Sequence, residues 1–133
     1  MKVSLETTGG VFTILGYAPG EVRIQRPFPG EDGERVAVCR RSLIISPERL
    51  IGDWEPQSFE ALTAHSFEPL EELAPEVVLV GTGARLRLPS PPVLAPLVHL
   101  RAGFEVMDTG AACRTYNLLV GEGRRVAAAL LIG

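Results

Sequence analysis

Val-Val-Leu-Val-Gly-Thr-Gly, residues 77–83, decides the fold. Four apolar residues, three of them β-branched, run without a polar break and stop at two glycines. A strand with one face in water alternates apolar and polar residues. An unbroken run marks a strand covered on both faces, as in a sheet sandwiched between helices. Gly81 and Gly83 at its end permit a turn and let another group approach the backbone closely. In open α/β sheets, ligands sit at that edge.

Downstream, Arg85–Leu88 alternates and reads as an extended connection or a short strand. Ser90 or Pro91 opens a helix through about Ala102, with Pro91 and Pro92 in its first turn and Gly103 stopping it. Glu105–Met107 is a second short strand. Asp108-Thr109-Gly110 caps a helix over Ala111–Val120, and Gly121 to Gly123 end it. Val126–Ile132 makes a last apolar strand. Strands alternating with helices imply βαβ units and a partly parallel sheet.

Upstream, Thr63 caps a helix over Ala64–Leu73, in which Phe67, Leu70 and Leu73 share a face and Glu68, Glu71 and Glu72 lie opposite. Pro69 predicts a late start or a kink there. Arg49–Phe59 reads ambiguously: Trp54 suits a strand or the core, whereas Pro56 confines any strand to an edge or a bulge. Leu43–Ile45, Glu34–Val38 and Glu21–Gln25 are short strands, the last two joined antiparallel through the turn cluster Pro27–Gly33. Residues 1–20 read as a lead-in, marked by turns at Gly9-Gly10 and Pro19-Gly20, with Val11–Leu15 as a short strand. The expectation is one α/β domain over residues 21–133: a central mixed β-sheet with helices packed on it and an antiparallel N-terminal β portion.

Composition narrows the function classes. With 46% hydrophobic and 22% charged residues in 133, the chain is an ordinary globular domain. Its net charge is −3, and Lys2 is the single lysine, which argues against non-specific nucleic-acid binding. No apolar run approaches the roughly 20 residues of a membrane span, so membrane insertion is not expected. The start of the chain reads as neither signal peptide nor mitochondrial presequence, and a cytoplasmic location is expected. Cys39 and Cys113 form neither a disulfide framework nor a metal motif, so both are expected as reduced thiols, with no metal and no cofactor.

Two loops carry the candidate chemistry. Gly81-Thr82-Gly83 follows a strand but lacks the third glycine of a dinucleotide fingerprint, because Leu86 stands there. Asp108-Thr109-Gly110-Ala111-Ala112-Cys113-Arg114-Thr115-Tyr116-Asn117 opens a helix whose N-terminus favours an anion, with Cys113 in the first turn, where a thiol pKa falls. Asn117 lies four residues on, on the face of Cys113. Neighbouring parallel strands at 77–80 and 105–107 place both loops at one sheet edge, facing each other across a small pocket. A cysteine nucleophile needs a base, and neither His65 nor His99 stands at a strand end. The other reading packs Ala112, Cys113, Tyr116 and Leu119 against the sheet. Arg23, Arg26, Arg35, Arg40 and Arg41 offer a basic face for an acidic partner.

The three segments 78–83, 105–117 and 123–130 together resemble a small family of uncharacterised single-domain proteins of the Mth type. Its eukaryotic members include the mitochondrial NADH dehydrogenase (complex I) assembly factor 3 and the adipogenesis-associated domain-containing protein. The resemblance spans residues 20–131. It implies a three-layer α/β fold, no established enzyme activity, and action through protein contacts in complex assembly. Some bacterial relatives are encoded beside protein-export membrane components. The shared motif falls here on Gly81, Thr82, Gly83, Asp108, Thr109, Cys113, Thr115 and Asn117.

The leading expectation is a non-catalytic cytoplasmic protein with protein partners, acting in membrane or respiratory complex assembly. The competing one is a small-molecule or anion-binding protein, or an enzyme, using the pocket between Gly81–Gly83 and Asp108–Asn117 with Cys113 as a reactive thiol. Homo-oligomerisation through an early strand edge is a third.

Overall fold

The computed structural model describes residues 10–133, so Gly9 of the turn read at Gly9-Gly10 and the residues before it lie outside the described part. Strands β1 (Thr13–Ala18), β2 (Glu21–Gln25) and β3 (Val36–Cys39) form an antiparallel sheet in that order. The expected alternation holds in β2: Val22 and Ile24 are buried while Arg23 points outward. Gly20, at φ +87°, makes the first turn, and its N–H donates to the Ile132 carbonyl at 3.0 Å, fastening the hairpin to the last strand. Within the stretch read as a lead-in, Phe12 and Ile14 enter the core.

The second sheet takes β4 (Leu43–Ile45), β5 (Leu50–Ile51), β6 (Val77–Thr82), β7 (Gly103–Met107) and β8 (Val126–Leu131) in the order β5-β4-β8-β6-β7. β7, β6 and β8 run parallel, whereas β4 pairs antiparallel with both β8 and β5, so the sheet is mixed. Val78 and Val80 face one side of it and Leu79 the other, and all three are buried. That is why the run at 77–80 has no polar break. Beside it, Ala127, Ala128 and Ala129 of β8 keep the middle of the sheet thin enough for large neighbours on both faces.

On one face lie α2 (Pro91–His99) and α1 (Leu70–Leu73), with Trp54 and Phe67 packed at 5.9 Å between ring centroids. The other face carries α3 (Thr109–Gly121) and the three-stranded sheet, closing the core around Ile24, Leu43, Leu79 and Tyr116. Each fully buried aliphatic or aromatic side chain in these layers contributes roughly 1.5–3 kcal/mol. The fold is thus the expected mixed-sheet α/β domain with an antiparallel N-terminal portion.

Four local features refine the expected elements. The helix read over Ala64–Leu73 divides into a 3₁₀ turn at Ala64–Phe67 and the short α1. Pro69 has no N–H to continue the ladder. Thr63 does cap the turn, accepting from the His65 N–H at 3.2 Å while the Ser66 hydroxyl accepts from the Thr63 N–H at 3.0 Å. α2 ends at His99 instead of Ala102, because Arg101 takes a left-handed φ of 59°, and Gly103 starts β7 instead of only ending the helix. Arg85–Leu88 is an irregular connection. Arg49–Phe59 resolves into β5, an irregular segment and a 3₁₀ turn from Phe59, with Trp54 in the core and its Nε1–H donating to the Ser66 carbonyl at 2.7 Å.

One polar side chain joins the layers on the α3 side. Asn117 accepts from the Ile14 N–H at 2.9 Å and donates to the Ile14 carbonyl at 2.6 Å, occupying the backbone of β1 as another strand would. Asn117→Ala is expected to lower stability by about 1 kcal/mol, since the freed groups sit near solvent and rebond to water. Amide exchange should accelerate at Ile14 and leave β6 unchanged.

Candidate functional site

The C-terminal ends of β6 and β7 bring Gly81–Gly83 beside the start of α3. Asp108 caps that helix, its Oδ1 accepting from the Ala111 N–H at 2.8 Å. Thr109 occupies the space between the loops. Its hydroxyl accepts from the Gly83 N–H at 2.8 Å and donates to the Leu131 carbonyl, and its own N–H donates to the Gly83 carbonyl at 2.9 Å. Thr109 is fully buried. A methyl group at Gly81 would stand 2.9 Å from both Thr109 Oγ1 and Leu130 Cδ2 and 3.1 Å from Thr109 Cα. The Thr82 hydroxyl donates to the Arg85 carbonyl at 2.7 Å and accepts from the Arg87 N–H at 3.1 Å, shaping the exit from β6.

The pocket expected between the loops is therefore filled by Thr109. Gly81→Ala is expected to cost about 1–3 kcal/mol, because one of the atoms it meets is backbone and cannot swing away. A lowered denaturation midpoint at unchanged slope would register it.

A hollow of about 170 Å³ opens on the other side of the first turn of α3, against β1, lined by Leu15, Gly16, Tyr17, Gly110, Cys113, Arg114 and Asn117. The expected site residues thus part company. Gly110, Cys113 and Asn117 reach this hollow; Gly81, Thr82, Gly83 and Thr109 are built into the sheet–helix junction; Asp108 is a cap; and Thr115 lines a separate hollow beside β7. Tyr17 and Arg114 were not anticipated as lining residues. The position of Arg114 next to Cys113 was a usable signal, whereas Tyr17 lay in the stretch read as a lead-in.

The electrostatics oppose a reactive thiol. Burial pushes the Cys113 thiol up to about 12; Arg114 pulls it down and Asp108 pushes it further up. A helix N-terminus lowers a thiol pKa only when the thiolate meets the free N–H groups, and here Asp108 has taken part of that role. Burial, then Cys113 and Asp108, raise the neighbouring Tyr17 as well. His65 and His99 line a hollow beside α1 and α2, across the sheet from Cys113, and His65 Nδ1 lies 2.9 Å from Glu68. Among the described residues no three His, Cys, Asp or Glu side chains gather as metal ligands. The basic face expected early in the chain is partly neutralised: Arg26 pairs with Asp32 at 3.2 Å, Arg40 with Glu21 at 3.4 Å and Arg41 with Asp53 at 2.8 Å.

Comparison with known proteins places this architecture. Residues 14–131 match the profile of a family described as a protein of unknown function (DUF498/DUF598). The chain belongs to this family. It is 34% identical, over 103 aligned residues, to the Bos taurus NADH dehydrogenase [ubiquinone] 1 alpha subcomplex assembly factor 3, an alignment covering 68% of this chain and 56% of that protein. It is 35% identical over 57 residues to a Francisella tularensis protein named 13 kDa major membrane protein, covering 43% of this chain and 46% of that one. The chain thus spans about half the length of these curated relatives. A solution structure of a Bordetella pertussis Mth938-like domain superposes with a TM-score of 0.74 at 29% identity, covering 99% of this chain and 92% of that chain. The resemblance to the Mth-type family with its complex I assembly factor is thereby met. Among the described residues, no helix of this DUF498/DUF598 protein is long and apolar enough to cross a membrane.

Proposed function

We propose that the protein is a non-catalytic factor of the cytoplasm that binds protein partners and assists assembly of a membrane or respiratory complex. The observation that carries this reading is the similarity to an NADH dehydrogenase assembly factor, beside a family profile that spans both the Gly81–Gly83 and Asp108–Asn117 segments. Geometry supports the non-catalytic part. The most suggestive nucleophile is 4% exposed, its thiol stays neutral at physiological pH, and both histidines lie on the other face of the sheet.

The experiment is deletion of the chromosomal gene followed by native-gel resolution of the membrane complexes. A respiratory complex should be lost or stall as a sub-assembly, and the wild-type protein and Cys113→Ala should both restore it. Intact complexes in the deletion strain would refute the assembly role. Restoration by wild type but not by a folded Cys113→Ala would favour the small-molecule reading, with its site in the hollow shared by Gly110, Cys113 and Asn117.

A further inference from the structure

The order β5-β4-β8-β6-β7 leaves β7 at the end of the sheet, paired only with β6 among the described residues. The Gly103 N–H donates to the Glu76 carbonyl at 3.0 Å, on the β6 side. Bonding in a parallel ladder alternates along the strand. Gly103, Glu105 and Met107 therefore turn their backbone groups toward β6, and Phe104 and Val106 turn theirs outward. Natural edge strands are blunted by Pro, Lys or shortness. The opposite edge, β5, is two residues long, but β7 has five residues and neither Pro nor Lys.

The faces beside this edge are hollow. About 400 Å³ opens between β7 and α2, over Leu94, Val98 and Phe104, with Val98 63% exposed. About 440 Å³ opens between β7 and α3, over Met107, Thr115 and Leu119. An added strand sends alternate side chains to opposite faces, so one set enters each hollow while its backbone bonds Phe104 and Val106. Glu105 is the only charged residue of β7; it is exposed and makes no ion pair among the described residues. Arg124, which lines the same hollow, is already paired with Glu76 at 3.3 Å. Antiparallel pairing of two copies along the whole of β7 would set Glu105 against itself, which is destabilising.

We propose that the free edge of β7 receives an extended segment of a partner protein, apolar at alternate positions and carrying Lys or Arg opposite Glu105. The proposal rests on the protein-contact reading above and names where that contact is made.

The test titrates the full ¹⁵N-labelled chain with a capped eight-residue peptide of alternating valine and threonine with a central lysine. Exchange of the Phe104 and Val106 amides should slow at least tenfold, while Gly103 and Glu105, already bonded to β6, change little. Glu105→Lys should weaken binding of this peptide at least fivefold and strengthen binding of its glutamate-centred counterpart. Val106→Pro removes an outward N–H and spares the β6 ladder, so it should fold and lose the peptide. Absence of protection, or protection centred on the hollow beside His65 and His99, overturns the proposal. So does protection of β7 that rises with protein concentration in the absence of peptide, which marks self-pairing. A folded Val106→Pro protein that fully restores complex assembly in the deletion strain would remove the edge and leave the assembly role standing. A peptide-binding edge in a protein whose deletion leaves every complex intact would do the reverse.

Discussion

Cys113 in the folded protein, with Cys39 replaced by Ser, is expected to react with iodoacetamide at pH 8 about a thousandfold more slowly than the same thiol in the unfolded chain. The thiolate is the nucleophile. A thiol at its usual value near 9 is one-tenth ionised at that pH, and one pushed up to about 12 is ionised in one molecule in ten thousand. Burial slows the reaction further, because the reagent has to reach a nearly enclosed sulfur. Cys39 is replaced because it is only half-buried, and would react first although burial raises its thiol too. A rate that levels off near pH 8 in the native state would mean an exposed thiolate and would overturn this assignment. The same shift links pH to stability. A folded-state pKa raised above the unfolded one stabilises fully below about 9, and that stabilisation is lost as pH rises through about 12. Between pH 8 and pH 11 the stability difference between wild type and Cys113→Ala should therefore shrink, as measured by denaturant unfolding at each pH.

Residues 77–83 disclosed the central strand because burial on both faces writes itself into composition: a parallel strand under two layers has no position for a polar residue. The caps at Thr63 and Asp108 were equally readable, since each rests on one side chain and its nearest backbone. What stayed hidden depends on residues far apart in the chain. The clasp that joins β1 to α3 comes from Asn117, more than a hundred residues away, and nothing within residues 11–18 announces that partner. The break after Phe67 was foreseen at Pro69 in kind, but its extent follows from packing of the 3₁₀ turn on α2. The two candidate loops were correctly seen as neighbours at one sheet edge. The gap between them was misjudged because small residues signal a close approach without saying by what. Here the visitor at Gly81 is Thr109 itself, whereas Gly83 is held to glycine by its φ of +100° and by the Gly133 carbonyl, 2.9 Å from where a Cβ would stand.

That arrangement makes Thr109→Val the most destabilising small change expected at this site. The side chains are nearly the same size, so no cavity forms and the loss isolates the hydroxyl. In wild type one oxygen serves the Gly83 N–H and the Leu131 carbonyl, joining the ends of β6, α3 and β8 at a fully buried point. Valine leaves both backbone groups buried without partners at roughly 1–3 kcal/mol each, so the expected loss is about 2–6 kcal/mol. The denaturation midpoint should fall with little change in slope. Thr109→Ser keeps the oxygen and loses one methyl group, at about 1 kcal/mol. The contrast between these variants separates a structural bond from a ligand-binding one. If the hydroxyl acts only within the fold, the serine protein restores complex assembly in the deletion strain, and the valine protein fails only in proportion to its unfolding. Should valine prove as stable as wild type, the junction does not depend on this hydroxyl, and Thr109 would then be free to serve a ligand at the sheet edge.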